Sequence, residues 1–175
     1  MSKIRELQKT AAGTLKINWS AVEETIGFPL HSHLKDFYSR IWGVPNMGGE
    51  IVGSMKFSPG EFVKRDVNRE NWLDCSHAAD AQFTLYLLKQ ADENYVSDFI
   101  HAAFFGEWTG GNDFGHRAWI GEIVLNIGQI YLLFHNDTGA FEWADFEYGY
   151  FERYSDNPYG IVADDTQEFL DKFTR

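Results

Sequence analysis

Three strand-like runs crowd the second half of the chain with almost nothing between them. RAWIGEIVLN (117–126), QIYLLFHN (129–136) and AFEWADFEYGYF (140–151) are rich in aromatic and branched residues. They are linked by Ile127-Gly128 and by Asp137-Thr138-Gly139. Parallel neighbours need a crossover of roughly a dozen residues or more, so links this short permit only antiparallel pairing. An antiparallel meander is therefore the expected centre of the fold.

Helical signals flank it. In NWSAVEETIGFP (18–29), Ser20 and Glu23 have capping-box spacing, and Trp19, Val22 and Ile26 share a face. Gly27 and Pro29 supply the stop. In LHSHLKDFYSRIWG (30–43), Leu30, Leu34, Phe37, Tyr38, Ile41 and Trp42 form a helical stripe. GGEIVGSMKF reads as a short strand with Ile51, Gly53 and Met55 on one face, and Ser58, Pro59 and Glu61 begin a further helix. Residues 1–12 read as a loose helix or a tail, and Asn71–Phe83 gives no assignment. Ala78–Gln90 fits a helix, while QFTLYLL within it fits a strand. FIHAAFF (99–105) has a β-like apolar run, GEWTGGNDFGH (106–116) is a glycine-rich loop, and Asp165–Glu168 caps a last helix carrying Phe169, Leu170 and Phe173. Helices, meander and helix in that order predict an α+β fold, one domain over residues 1–175.

Charge narrows the functional classes. Residues 1–70 hold ten Lys/Arg and eight Asp/Glu, whereas residues 71–175 hold five and eighteen. A distal charge of −13 repels nucleic acid and anionic membrane. It serves either solubility alone or attraction of a basic partner. No apolar run reaches the roughly 18–20 residues of a membrane span, and the N-terminal segment lacks a signal peptide's apolar stretch. The single Cys75 can form neither an internal disulfide nor a zinc cluster, so a cytoplasmic location is expected.

Candidate chemistry is sparse. In FHNDTGAFEW (134–143), His135 and Asp137 share a strand face, as metal ligands can, but the spacing is that of a hairpin turn. The glycine loop runs into a strand rather than a helix and carries Glu107 and Asp113, both unsuited to phosphate. His31 and His33, two apart on a helix, are expected to diverge, and Cys75 near His77 lacks a third group. No catalytic residue, metal ligand or cofactor is therefore assigned.

Two stretches resemble one known family. NWSAVEETIGFPLHSHLKDFYSRIWG is similar to the tryptophan–glutamate–glycine–proline signature of the SUKH superfamily, which groups the yeast Smi/Knr cell-wall regulators with Syd-like proteins. IGQIYLLFHNDTGAFEW, followed by DDTQEFLDKF, is similar to that family's hairpin and closing helix. Together they span about a third of the chain. FEYGYFERYSDNPYG lengthens the tract before the last helix beyond the family pattern. The resemblance implies an antiparallel sheet flanked by helices. It also implies a protein-binding role: most bacterial members are immunity proteins that neutralise polymorphic toxins, often nucleases, and others are regulatory binders.

A nuclease cleft must be basic to hold a polyanion, so an acidic, aromatic-rich face suits its inhibitor. Glu107, Trp108, Asp113, Glu142, Asp145, Glu147 and Tyr150 are expected on or near that face. Two rivals stand beside this reading. One is a regulatory or scaffold module for a non-toxin protein; the other is a small metal-dependent hydrolase using His116, His135 and Asp137.

Overall fold

Among the described residues, six antiparallel strands, hydrogen-bonded in chain order, make up the sheet. The computed structural model describes residues 15–42, 49–58, 79–126, 128–144 and 159–173. Two helices come first, α1 (Trp19–Ile26) and α2 (Ser32–Arg40), followed by β1 (Glu50–Phe57) and β2 (Ala79–Tyr86). Helix α3 (Glu93–Phe105) and a 3-10 turn (Glu107–Thr109) lead into β3 (Arg117–Leu125), β4 (Gly128–His135) and β5 (Ala140–Ala144). Strand β6 (Tyr159–Ala163) and helix α4 (Thr166–Asp171) finish the fold. The architecture is α+β, with the helices at both ends of the sequence flanking the sheet. No described helix is long and apolar enough to cross a membrane.

Several local expectations change. Asn18, not Ser20, caps α1, its side-chain oxygen accepting from the Ala21 N–H. Glu23 is thereby free of capping and instead accepts from Leu30 N at 2.7 Å and pairs with Lys35 at 2.5 Å. Burial opposes its charge, but Lys35 and the Leu30 N–H outweigh that and hold the carboxyl below its usual range. The undecided tract 79–86 is a strand. FIHAAFF is helical rather than β-like. Asp92 caps the helix through Tyr95 N, and Val96, Ile100, Ala103 and Phe104 are buried at helical spacing. Strand β6 was not anticipated. Residues 1–12, the helix start at Pro59 and Glu61, and Cys75 with His77 lie outside the described residues.

The helices cover one face of the sheet. Ile51, Phe83, Leu85, Ile123, Ile130, Leu132, Phe134, Phe141 and Trp143 point into the same cluster as Leu34, Phe37, Ile100, Phe104 and Phe169. Phe141 is its aromatic hub: it stacks on Phe169 at 4.3 Å and meets Phe134 edge-on at 5.0 Å. Strand β3 keeps its apolar residues inward by a bulge between Trp119 and Gly121. A side chain at Gly121 would lie 2.4 Å from the Thr84 carbonyl, which is why glycine stands there.

Tyr38 is fully buried in this core, and its hydroxyl has no hydrogen-bond partner among the described residues. Burial raises its pKa well beyond the ordinary tyrosine value, with Tyr95 adding to the effect. An unsatisfied buried hydroxyl costs roughly 1–3 kcal/mol, so Tyr38→Phe should match or exceed the parent in stability, by up to about 1 kcal/mol. Urea unfolding checks this; a loss above that size would mean the hydroxyl has a partner.

The hairpin between β4 and β5 joins the N-terminal helices to the sheet. Asn136, almost buried, accepts from His31 N at 2.8 Å and donates to the Pro29 carbonyl at 2.9 Å. His33 donates from Nδ1 to the Gly139 carbonyl at 2.9 Å, and Thr166 on α4 donates to the His33 carbonyl at 2.9 Å. His31 caps α2 from extended backbone, so the His31 and His33 rings meet edge-on at 4.5 Å instead of diverging. Gly139 has φ +73°, and its missing Cβ leaves room for the His31 ring.

Burial, and then His33, lower the His31 pKa. The unfolded chain therefore takes up the proton more readily. Stability from this group is present above the usual value of about 6.5 and declines as pH falls through it. His31→Asn keeps a good helix cap and removes the titration. Its thermal midpoint should fall less than the parent's between about pH 7 and pH 5. Identical slopes would mean that His31 contributes nothing to acid sensitivity.

Candidate functional site

The most exposed chemistry lies where α3 gives way to the glycine loop. Gly106 is required because a Cβ there would sit 2.4 Å from the Ala102 carbonyl. Gly110, Gly111 and Gly115 all have positive φ, so the chain folds back tightly before β3. The loop is held by its own bonds. Asp113 accepts from Gly115 N at 2.8 Å, Asn112 donates to the Thr109 carbonyl at 3.1 Å, and Trp108 Nε1 donates to the Ala103 carbonyl at 2.9 Å. Trp108 stacks on Phe114 at 5.3 Å and lies 6.3 Å from Trp119. Trp119 in turn touches Tyr86 at 5.0 Å and Tyr131 at 5.3 Å.

The anticipated acidic face is brought together only in part. Glu107 and Asp113 are exposed on this loop, with Trp108 half-buried between them. Glu142 departs from the expectation. It is only 9% exposed, because strand alternation points it across the sheet at Arg117, whose Nε donates to it at 2.6 Å. The same guanidinium donates to a second Glu142 oxygen at 3.4 Å and to the Phe114 carbonyl at 3.0 Å. Asp145, Glu147 and Tyr150 lie outside the described residues.

Arg117 itself escaped the sequence reading, although a signal existed. Between residues 90 and 152 it is the one Lys or Arg among eleven Asp and Glu, so a carboxylate partner was to be expected. Its pairing with Glu142 braces the loop against the sheet.

FHNDTGAFEW forms a hairpin, and it carries a small polar group on its outer side. His116 Nδ1 lies 2.9 Å from Asp137 Oδ1, and His135 Nε2 lies 3.8 Å from Asp137 Oδ2. The His116 ring lies flat on Phe28 at 4.9 Å. The hydrogen bond with His116 holds the Asp137 carboxyl below its usual range. Thr138 Oγ1 is 3.1 Å from His135 Nδ1, while Glu142 Oε1 approaches that same nitrogen at 3.4 Å. The Asp137 carboxylate does face the opposite ring nitrogen, but at 3.8 Å it is beyond hydrogen-bond reach, so no hydroxyl–imidazole–carboxylate relay is closed here. Among the described residues, no three His, Cys, Asp or Glu side chains converge as a metal site.

Between the loop and the hairpin runs a groove of about 560 Å³. Phe105, Phe114, Asp113, His116 and Asp137 form its walls. Phe105 is 48% exposed, an uncommon degree for a phenylalanine at a helix end. Neither models of known protein families nor curated proteins give a match to this chain.

Proposed function

We propose that this protein is a non-enzymatic binder of another protein: a cytoplasmic immunity protein that neutralises a basic toxin domain by direct contact. The observation that carries the reading is the acidic glycine loop, held by its own hydrogen bonds, where Glu107 and Asp113 stand exposed beside an aromatic stack. Preformed loops with charge at the rim and rings at the centre bind with little ordering cost. The distal charge of −13 would steer a basic partner toward it. The α+β sheet-and-helix order is also what resemblance to the SUKH superfamily implies.

Co-expression with the product of the neighbouring gene, followed by co-purification, tests the reading. With a partner in hand, the double variant Glu107→Lys/Asp113→Lys should slow association about tenfold at low salt and flatten its salt dependence. Unchanged affinity and salt slope would rule this loop out. A lone gene among housekeeping functions, with a non-toxin partner, would favour the regulatory reading instead.

One observation favours a second reading. His116 and His135 flank the two oxygens of Asp137, as an acid–base centre would require. Stoichiometric metal in the purified protein, lost on His135→Ala, would support a hydrolase.

A further inference from the structure

We infer that the groove between the glycine loop and the β4–β5 hairpin receives an arginine side chain of the protein partner, with Asp113 and Asp137 as its carboxylate acceptors. The inference rests on the binding function proposed above and specifies its chemistry. Three features of the groove lead to it.

Charge comes first. Among the described residues Arg117 is the neighbouring fixed cation, but its guanidinium is committed to Glu142 and to the Phe114 carbonyl. Glu142 offsets much of its charge, although Arg117 still acts on Asp137 through space; Asp113 and Asp137 are the groove's carboxylates, and no Lys or Arg is bonded to either among the described residues. Asp113 uses Oδ1 for Gly115 N, and Asp137 uses Oδ1 for His116. A carboxylate has capacity for several donors, so both retain acceptor sites for an incoming group.

Shape comes second. A groove of about 560 Å³ has room for a guanidinium on its three-carbon stem. The walls come third. Phe105 presents its ring, Phe114 lines the wall while stacked on Trp108, and the His116 plane is fixed by stacking on Phe28. Guanidinium groups are weakly hydrated and stack on such faces, whereas a lysine would keep its water. Exposed Phe105 thus gains a use, since it covers the methylene stem.

The test uses the full chain and N-acetyl-arginine amide as probe, with the neutral isostere N-acetyl-citrulline amide as control. Saturable chemical-shift changes at Phe105, Phe114 and His116 are expected with the arginine probe alone, at millimolar concentration. Asp113→Asn/Asp137→Asn should weaken that binding roughly tenfold. Asparagine keeps the oxygen that each loop bond uses, so the fold is preserved, and Phe105→Ser provides a second variant that alters no carboxylate. Equal response to citrulline, or non-saturating shifts spread over the acidic surface, would overturn the inference. Because no toxin enters this titration, its failure is separable from failure to co-purify a partner.

Discussion

Phe141→Ala should lower the unfolding free energy by about 3–5 kcal/mol, the largest effect expected of any single side-chain truncation here. The residue is completely buried and touches Phe37, Phe134 and Phe169. Those rings belong to α2, β4 and α4, so one truncation opens a cavity shared by three elements. The surrounding rings are themselves wedged and cannot collapse into the space, which places the cost high in the usual range. Phe141→Leu retains most of the volume and should lose much less, about 1–1.5 kcal/mol. Urea titrations of both variants check the pair. A loss under about 1 kcal/mol for alanine would mean the stacked cluster does not anchor α4.

Arg117→Met should cost about 3 kcal/mol, at the low end of what breaking a buried ion pair costs. The Glu142 side chain is 12% exposed, and without the guanidinium its charge is left among β4 and β5 side chains with His135 as its remaining ionisable neighbour among the described residues. The Arg117 side chain keeps 30% exposure, and water reaching it moderates the loss. The double variant Arg117→Met/Glu142→Leu should recover most of the stability, since two apolar groups leave no stranded charge. If the double variant were as unstable as the single, packing of the guanidinium stem rather than charge pairing would be the cause.

The meander was legible because its links are short and its alternation strong, and α4 because Asp165 and Glu168 mark its start. The cap is made, with Asp165 accepting from Glu168 N at 2.9 Å, while Glu168 reaches one residue further back than a capping box and accepts from Asp164 N at 3.0 Å. Other elements hid behind conflicting periods. In RAWIGEIVLN, strict alternation sets Ala118 and Ile120 against Ile123 and Leu125; a bulge reconciles them, and a bulge has no reliable mark in sequence. FIHAAFF looked strand-like only because the window began after Asp92 and Val96, where the helical spacing starts. Strand β6 is five residues long and has too few positions to show a period.

The site was less legible than the fold. Glu107, Trp108 and Asp113 could be placed from their glycine loop, but the burial of Glu142 against Arg117 depends on register. The Asp137–His116 contact joins residues 21 apart, and the contribution of Phe105 depends on where α3 ends. Such pairings follow from tertiary placement, which no local pattern carries.

Strand order that repeats chain order also bears on how quickly the molecule assembles. The β3–β4 and β4–β5 ladders close loops of only a few residues, so they can zip from their turns within microseconds. The slow event is then the docking of Pro29 and His31 onto Asn136, which joins positions more than a hundred residues apart. Ring truncations within the hairpins would retard the forward rate, whereas loss of the asparagine clasp would chiefly hasten the reverse one.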